Sequence, residues 1–321
     1  MLRTTSRNCR VAYGIIAHNK PELLGELVSA LRFTDPDALV VVFNSSPRKD
    51  TFSGVDATIA ASSRPLNWGL LQFGHFGIME SLKQMDAEYT HLSFLDSDML
   101  PIRNDYQAFI ENNVIADYMG VDFQRVSKTS KWVVGRRWAY EWPLWRQHFG
   151  NCLPHGAFNP GQTLTRELVE ELLKYSRLPD ILEQSRKSRL LSLEELLIPT
   201  LAVAVGATTQ VHPNSEAFHG LHSPAELASL ACDPTAALVH KFVMTAQSPD
   251  RVAARRLLEN KKDVSDLQRH WDDQARDLPT QTKARARIRL FLRPLKELWI
   301  RICIPFRLAR ANRLAARHSV T

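Results

Sequence analysis

The segment F-L-D-S-D-M-L-P, Phe94 to Pro101, places two carboxylates, Asp96 and Asp98, two positions apart directly after an apolar run. At the carboxyl end of a buried strand the pleat is lost, and both can turn toward one divalent cation that bridges to phosphate oxygens. The chemistry this suits is offsetting charge on a departing diphosphate, with Mn²⁺ or Mg²⁺ as the ion. Without a cation, the paired carboxylates would repel such a group. A second acidic pair, Glu194 and Glu195, opens an apolar stretch. A single carboxylate there could take the proton of an attacking hydroxyl. Adjacent helix positions point about 100° apart, so one of the two is expected to face a cleft. The plainer reading is an acid-rich helix start capped by Ser192.

Other residue types offer further chemistry. His212, His219 and His222 lie in V-H-P-N-S-E-A-F-H-G-L-H, and His212 is the candidate taken as a further ligand to the cation. Trp132, Trp138, Trp142 and Trp145 could stack on sugar rings or fill a core. Lys241, with Arg251, Arg255 and Arg256 after it, supplies basic candidates against a diphosphate.

The elements that must hold these residues alternate. Val11 to Ala17, Ala38 to Phe43, Asp56 to Ala60, Thr90 to Leu95 and Ala116 to Phe123 read as strands. Helices are expected from Pro21, over Leu70 to Met85 and around Tyr106 to Asn113. That alternation predicts an α/β fold with a parallel, mostly buried sheet flanked by helices. Lys131 to Arg146 reads as irregular surface around a cleft. Helices follow over Thr163 to Tyr175 and Ser192 to Val205, a strand over Thr208 to His212, and broken helices from Pro224 to Arg276.

With 321 residues, 44% hydrophobic and 23% charged, the chain is globular in composition, and collagen-like, disordered and coiled-coil readings are excluded. Four scattered cysteines without a C-x-x-C pair argue against a disulfide scaffold or zinc site and fit a reducing compartment. No signal peptide or membrane span is expected. The net charge of +7 is uneven: from Lys283 onward, eleven Lys/Arg face one acid, leaving the remainder near −3. Arginines there alternate with Leu, Ile and Phe around Trp299, and Pro294 and Pro305 interrupt the run. That mix predicts a basic amphipathic tail, residues 283–321, lying on an anionic membrane surface at its cytoplasmic face. Phosphate binding has no need of the long apolar residues, so nucleic acid is not the expected partner.

Several pieces, in order, resemble the core-2/I-branching type of β-N-acetylglucosaminyltransferase, a GT-A glycosyltransferase with a Rossmann-like sheet. They are Y-G-I-I-A-H-N-K (Tyr13 to Lys20), L-N-W-G (Leu66 to Gly69) and H-L-S-F-L-D-S-D-M-L-P (His91 to Pro101). N-P-G-Q-T-L-T-R-E-L-V-E (Asn159 to Glu170) and S-L-E-E-L-L-I-P-T-L (Ser192 to Leu201) complete the set. The resemblance runs from about Val11 to Lys241 and implies a catalytic domain over residues 1–282. It implies transfer of a sugar from a UDP-type nucleotide donor to a hydroxyl of a glycan or lipid-linked acceptor, with inversion, as in polysaccharide biosynthesis. It places the base on Glu195 and donor contacts at His18, Asn44, Trp68, Asp96, Asp98, Gly161 and Lys241. One departure stands out: core-2-type enzymes work without metal and lack a complete D-x-D, whereas this chain has one.

Two other readings compete. One is a non-catalytic, membrane-associated glycan-binding protein, suggested by Gly161-Gln162-Thr163, where the family's Trp is missing. The other is a D-x-D phosphohydrolase, which fits poorly because its motif follows the first strand, whereas here the triplet follows about the fourth.

Overall fold

The structure, a computed structural model, describes residues 9–277 apart from 68, 189 and 262. Trp68 and the basic tail from Lys283, both singled out in the sequence, lie outside the described residues. The apolar runs form β1 (Val11–Ala17), β2 (Leu39–Asn44), β3 (Thr58–Ile59) and β4 (His91–Asp96). Between them come α1 (Pro21–Thr34), started by Pro21 in its first turn, and α2 (Gln72–Gln84). Then follow β5 (Met99–Pro101), α3 (Tyr106–Asn113), β6 (Tyr118–Arg125), α4 (Val133–Trp145) and β7 (His155–Thr165). The remainder is α5 (Arg166–Lys174), α6 (Leu178–Lys187), α7 (Glu194–Ala204), β8 (Thr209–Val211), α8 (Pro224–Ala231), β9 (Leu238–His240), α9 (Pro249–Leu258) and α10 (Ser265–Asp277).

Seven strands form one sheet in the order β3-β2-β1-β4-β7-β6-β8. Every pairing is parallel except those of β7, which opposes β4 on one side and β6 on the other. The α/β architecture with a mostly parallel sheet is therefore the one expected. Along β1, Tyr13 and Ile15 face one core with α1, α3, α8 and α9, while Ala12 faces the other with α2 and α4 to α7. Burial on both faces explains why these strands are continuous apolar runs without polar alternation. No helix among the described residues is long and apolar enough to cross a membrane.

Three local expectations are corrected. Residues 131–146 are not irregular surface: α4 carries Trp138 and Trp145 fully buried, with Trp138 tilted against Trp145 and edge-on to Trp142 and Phe149. Burial among aromatic rings removes Trp138 and Trp145 from any sugar-binding surface. Thr163 to Thr165, expected to open a helix, end β7 instead, and Thr165 caps α5 through its hydroxyl, which accepts the Leu168 N–H. Ser192 does not cap α7 with its side chain: the position before that helix is Leu193, and Ser192 contributes only its carbonyl to the Glu195 N–H.

Candidate functional site

β4 stops at Asp96, the chain turns through Ser97 and Asp98, and β5 begins at Met99. β5 pairs antiparallel with β9 in a separate two-stranded sheet, with Met99 opposite His240. The Phe242 N–H closes the same corner on the Asp98 carbonyl at 3.0 Å. This small sheet carries a histidine from far along the chain to the aspartates, and His240 Nε2 lies 3.4 Å from Asp98 Oδ1. One ligand atom each from Asp96, Asp98 and His240 fall within 4.8 Å of one another.

The electrostatics of the group are those of an anionic pair partly answered by an imidazole. Burial, then the Asp98 charge beside it, pushes the Asp96 carboxyl up to about 6, against the pull of His240 and the Asn159 amide. Burial would raise Asp98 as well, but the hydrogen bond and charge of His240, with Lys241, outweigh it and hold it low. Burial opposes the charged form of His240, and the two aspartates overcome it and raise its proton affinity. Asn159 Nδ2 donates to Asp96 Oδ1 at 3.2 Å. Two carboxylate oxygens and an imidazole nitrogen at this separation are a donor set that could hold a divalent metal ion.

The group borders a cavity of about 200 Å³ across the carboxyl ends of β1, β2 and β4. Its polar lining includes His18, Asn19, Ser45, His75, Asp96, Asp98 and Asn159, and Met244 also borders it. His18 is exposed and its Nδ1 lies 3.1 Å from the Ser45 carbonyl. His75 is buried edge-on to Phe94, and burial lowers it to about 4, so it is neutral.

The remaining expected site residues divide. Lys241 is exposed, and its charge reaches Asp98. Asn44 does not line the cavity: its amide donates to the Arg48 and Lys49 carbonyls and its oxygen accepts the Ser46 N–H, so it braces the loop after β2. Gly161 is a packing position, with φ of 82° and space for a Cβ taken by Phe218 at 2.5 Å. His212 is not with the aspartates. It sits between Phe109 and Phe218 and accepts the Asn214 N–H, and burial lowers it to about 4. The histidine that joins the carboxylates is His240, the residue before Lys241, which no local spacing marks as a ligand.

Arg251 and Arg255 are tied to an acid of α1. Arg251 is fully buried and both pair with Glu26 of α1, at 2.5 and 2.7 Å. Arg251 Nε also donates to the Val243 carbonyl, while Asp250 accepts the Val243 N–H. Together they clamp the segment that carries His240, Lys241 and Met244. Arg256 pairs with Asp266.

Glu194 and Glu195 are both buried beneath β7, and neither lines the cavity over β1, β2 and β4. Burial comes first in raising both, Glu194 to about 8 and Glu195 to about 9, with Asp96 adding to each and Glu194 adding to Glu195. Glu194 Oε2 meets no hydrogen-bond partner among the described residues. Burial thus favours the protonated form of both carboxyls.

No protein-family model matches the chain, and no curated protein matches it significantly in sequence. Among solved structures it is similar to TarS of S. aureus, at 16% identity and TM-score 0.35, covering 63% of this chain and 35% of that one. It is also similar to the galactosyltransferase LgtC in complex with donor and acceptor sugar analogues, at 11% identity and TM-score 0.38, covering 78% of this chain and 95% of that one. The chain thus spans about a third of the length of TarS. At these scores the likeness is loose, and function rests on the chain's own site.

Proposed function

We propose that the chain is a GT-A-type glycosyltransferase that moves a sugar from a nucleotide-diphosphate donor, of the UDP type, to a hydroxyl of a glycan or lipid-linked acceptor. The observation that supports this most is the Asp96–Asp98–His240 group at the strand ends beside a polar cavity. The nucleotide would lie over β1 and β2 with His18 near it, and Lys241 would face the diphosphate from the other side. An imidazole beside two carboxylates suits Mn²⁺ better than Mg²⁺. When bound, the cation supplies charge against the leaving diphosphate and lowers the proton affinity of nearby carboxyls. Glu195 is proposed as the base, in direct displacement with inversion; its role requires loss of the proton that burial now holds.

The basic tail from Lys283 is proposed to keep the enzyme on an anionic membrane surface. Truncation there should abolish cosedimentation with phosphatidylglycerol vesicles, and unchanged binding would contradict it.

Calorimetry with UDP-glucose, UDP-galactose and UDP-N-acetylglucosamine, with and without Mn²⁺, tests the donor site. One sugar nucleotide should bind, and removing Mn²⁺ or substituting Asp98→Ala should weaken it about tenfold or more. Equal binding in all conditions would sink the metal-dependent reading, and no binding at all would sink the transferase.

A further inference from the structure

β6 carries Asp122 and β4 carries Asp96 toward the same edge of the sheet, with β7 between them. Asp122 is out of register there. Val121 pairs with Phe158 and Gln124 with Gly156, so β6 holds one residue more than β7 across this bulge. Its φ of 52° is left-handed, a region sparsely used by residues with a Cβ and often found where a side chain is aimed for function. Its N–H leaves the ladder for Ser215 Oγ at 3.1 Å.

The bulge turns the Asp122 carboxylate onto His219, with Nε2 and Oδ2 2.7 Å apart. When Asp122 accepts the Nε2 proton, Nδ1 is the ring's free acceptor. Both side chains are nearly half exposed, at 48% for His219 and 45% for Asp122, so the pair is open to a ligand. One aromatic ring separates it from the cation-binding group: Phe158 has His219 on one side and His240 on another, each at 5.4 Å between centroids. Backbone contacts fix this spacing. The Lys241 N–H donates to the Gly220 carbonyl at 2.9 Å, and His240 Nδ1 lies 3.1 Å from the Phe218 carbonyl.

We infer that Asp122 and His219 form the acceptor subsite and grip neighbouring hydroxyls of a neutral saccharide. The inference rests on the transferase reading. The carboxylate accepts one hydroxyl proton in a hydrogen bond, His219 Nδ1 accepts another, and an acidic sugar is disfavoured beside Asp122. The donor cavity at β1, β2 and β4 and this pair at β6 flank the Asp96–Asp98–His240 group from opposite sides, as two substrates meeting over one leaving group require.

The test uses the full chain with Mn²⁺ and the donor chosen by calorimetry. Lactose and the methyl glycosides of glucose, galactose and N-acetylglucosamine serve as acceptors. Asp122→Asn keeps a residue at ease in the left-handed region, and His219→Gln keeps polarity. Each should raise the acceptor KM about tenfold or more while the donor Kd stays within about twofold. An acceptor KM within twofold of wild type in both variants, or a donor Kd weakened as much as the acceptor KM, overturns the assignment. A wild-type chain that binds no sugar nucleotide overturns the transferase reading itself and the subsite with it.

Discussion

From β3 to β4, neighbouring strands pair in parallel without a slip. From β7 to β8, the sheet reverses direction, slips twice between Met119 and Gln124, and takes in a left-handed aspartate. The regular half ends its strands at one level and so leaves a cavity over them. The irregular half gives up ladder pairing, and its bends bring Asp122, Phe158 and Asn159 to the same edge. Regular pairing makes a binding floor, while broken pairing aims individual side chains. The small β5–β9 sheet joins the two by setting His240 against Asp98.

That contrast predicts unequal responses to substitution. The largest concerns the tie between α1, on the regular half, and the segment after β9. Glu26→Ala would leave Arg251 buried with its charge uncompensated and should cost about 3–5 kcal/mol in denaturant unfolding. Replacing Glu26 and Arg251 together by Leu and Met should cost far less. Equal losses in the single and double variants would mean that packing, not charge, is what Glu26 provides.

Next is the acidic pair beneath β7. Glu194 and Glu195 bind protons more tightly in the native chain than in the unfolded one, so their contribution to stability is complete below about 4.5. It is lost as pH rises toward about 8 to 9. Melting temperature should therefore fall across that window. Glu194→Gln with Glu195→Gln, which mimics the protonated pair, should flatten most of the fall. An undiminished slope in the double variant would place the titrating groups elsewhere.

The smallest effect has the opposite sign. Asp122→Gly relieves a left-handed backbone and should stabilise the fold by about 1 kcal/mol, since strain released outweighs the added freedom of the unfolded chain. A destabilised variant would show that the aspartate supports the bulge rather than being strained by it.

The regular half was legible in the sequence because its signals are local. Apolar runs gave β1, β2 and β4, Pro21 gave the start of α1, and the D-x-D stood at the end of its strand. The irregular half was not. β7 contains Asn159-Pro160-Gly161, which reads as a breaker, and it persists as a strand because β4 and β6 pair with its two edges. In α4, Gly135 and Pro143 concealed a helix that aromatic burial stabilises. His240 reaches Asp98 through a pairing between segments remote in sequence, and no spacing rule announces that. Nor does anything local distinguish Asp122 from an ordinary strand residue, or foretell that His212 would pack between phenylalanines.

The most direct test of the account is the Mn²⁺ affinity of the full chain in the presence of UDP, measured by calorimetry for wild type, Asp98→Ala, His240→Ala and His212→Ala. Asp98→Ala and His240→Ala should each weaken Mn²⁺ about tenfold or more, while His212→Ala should leave it within about twofold. Unchanged affinity in His240→Ala, or a loss in His212→Ala as large as that in Asp98→Ala, would contradict it.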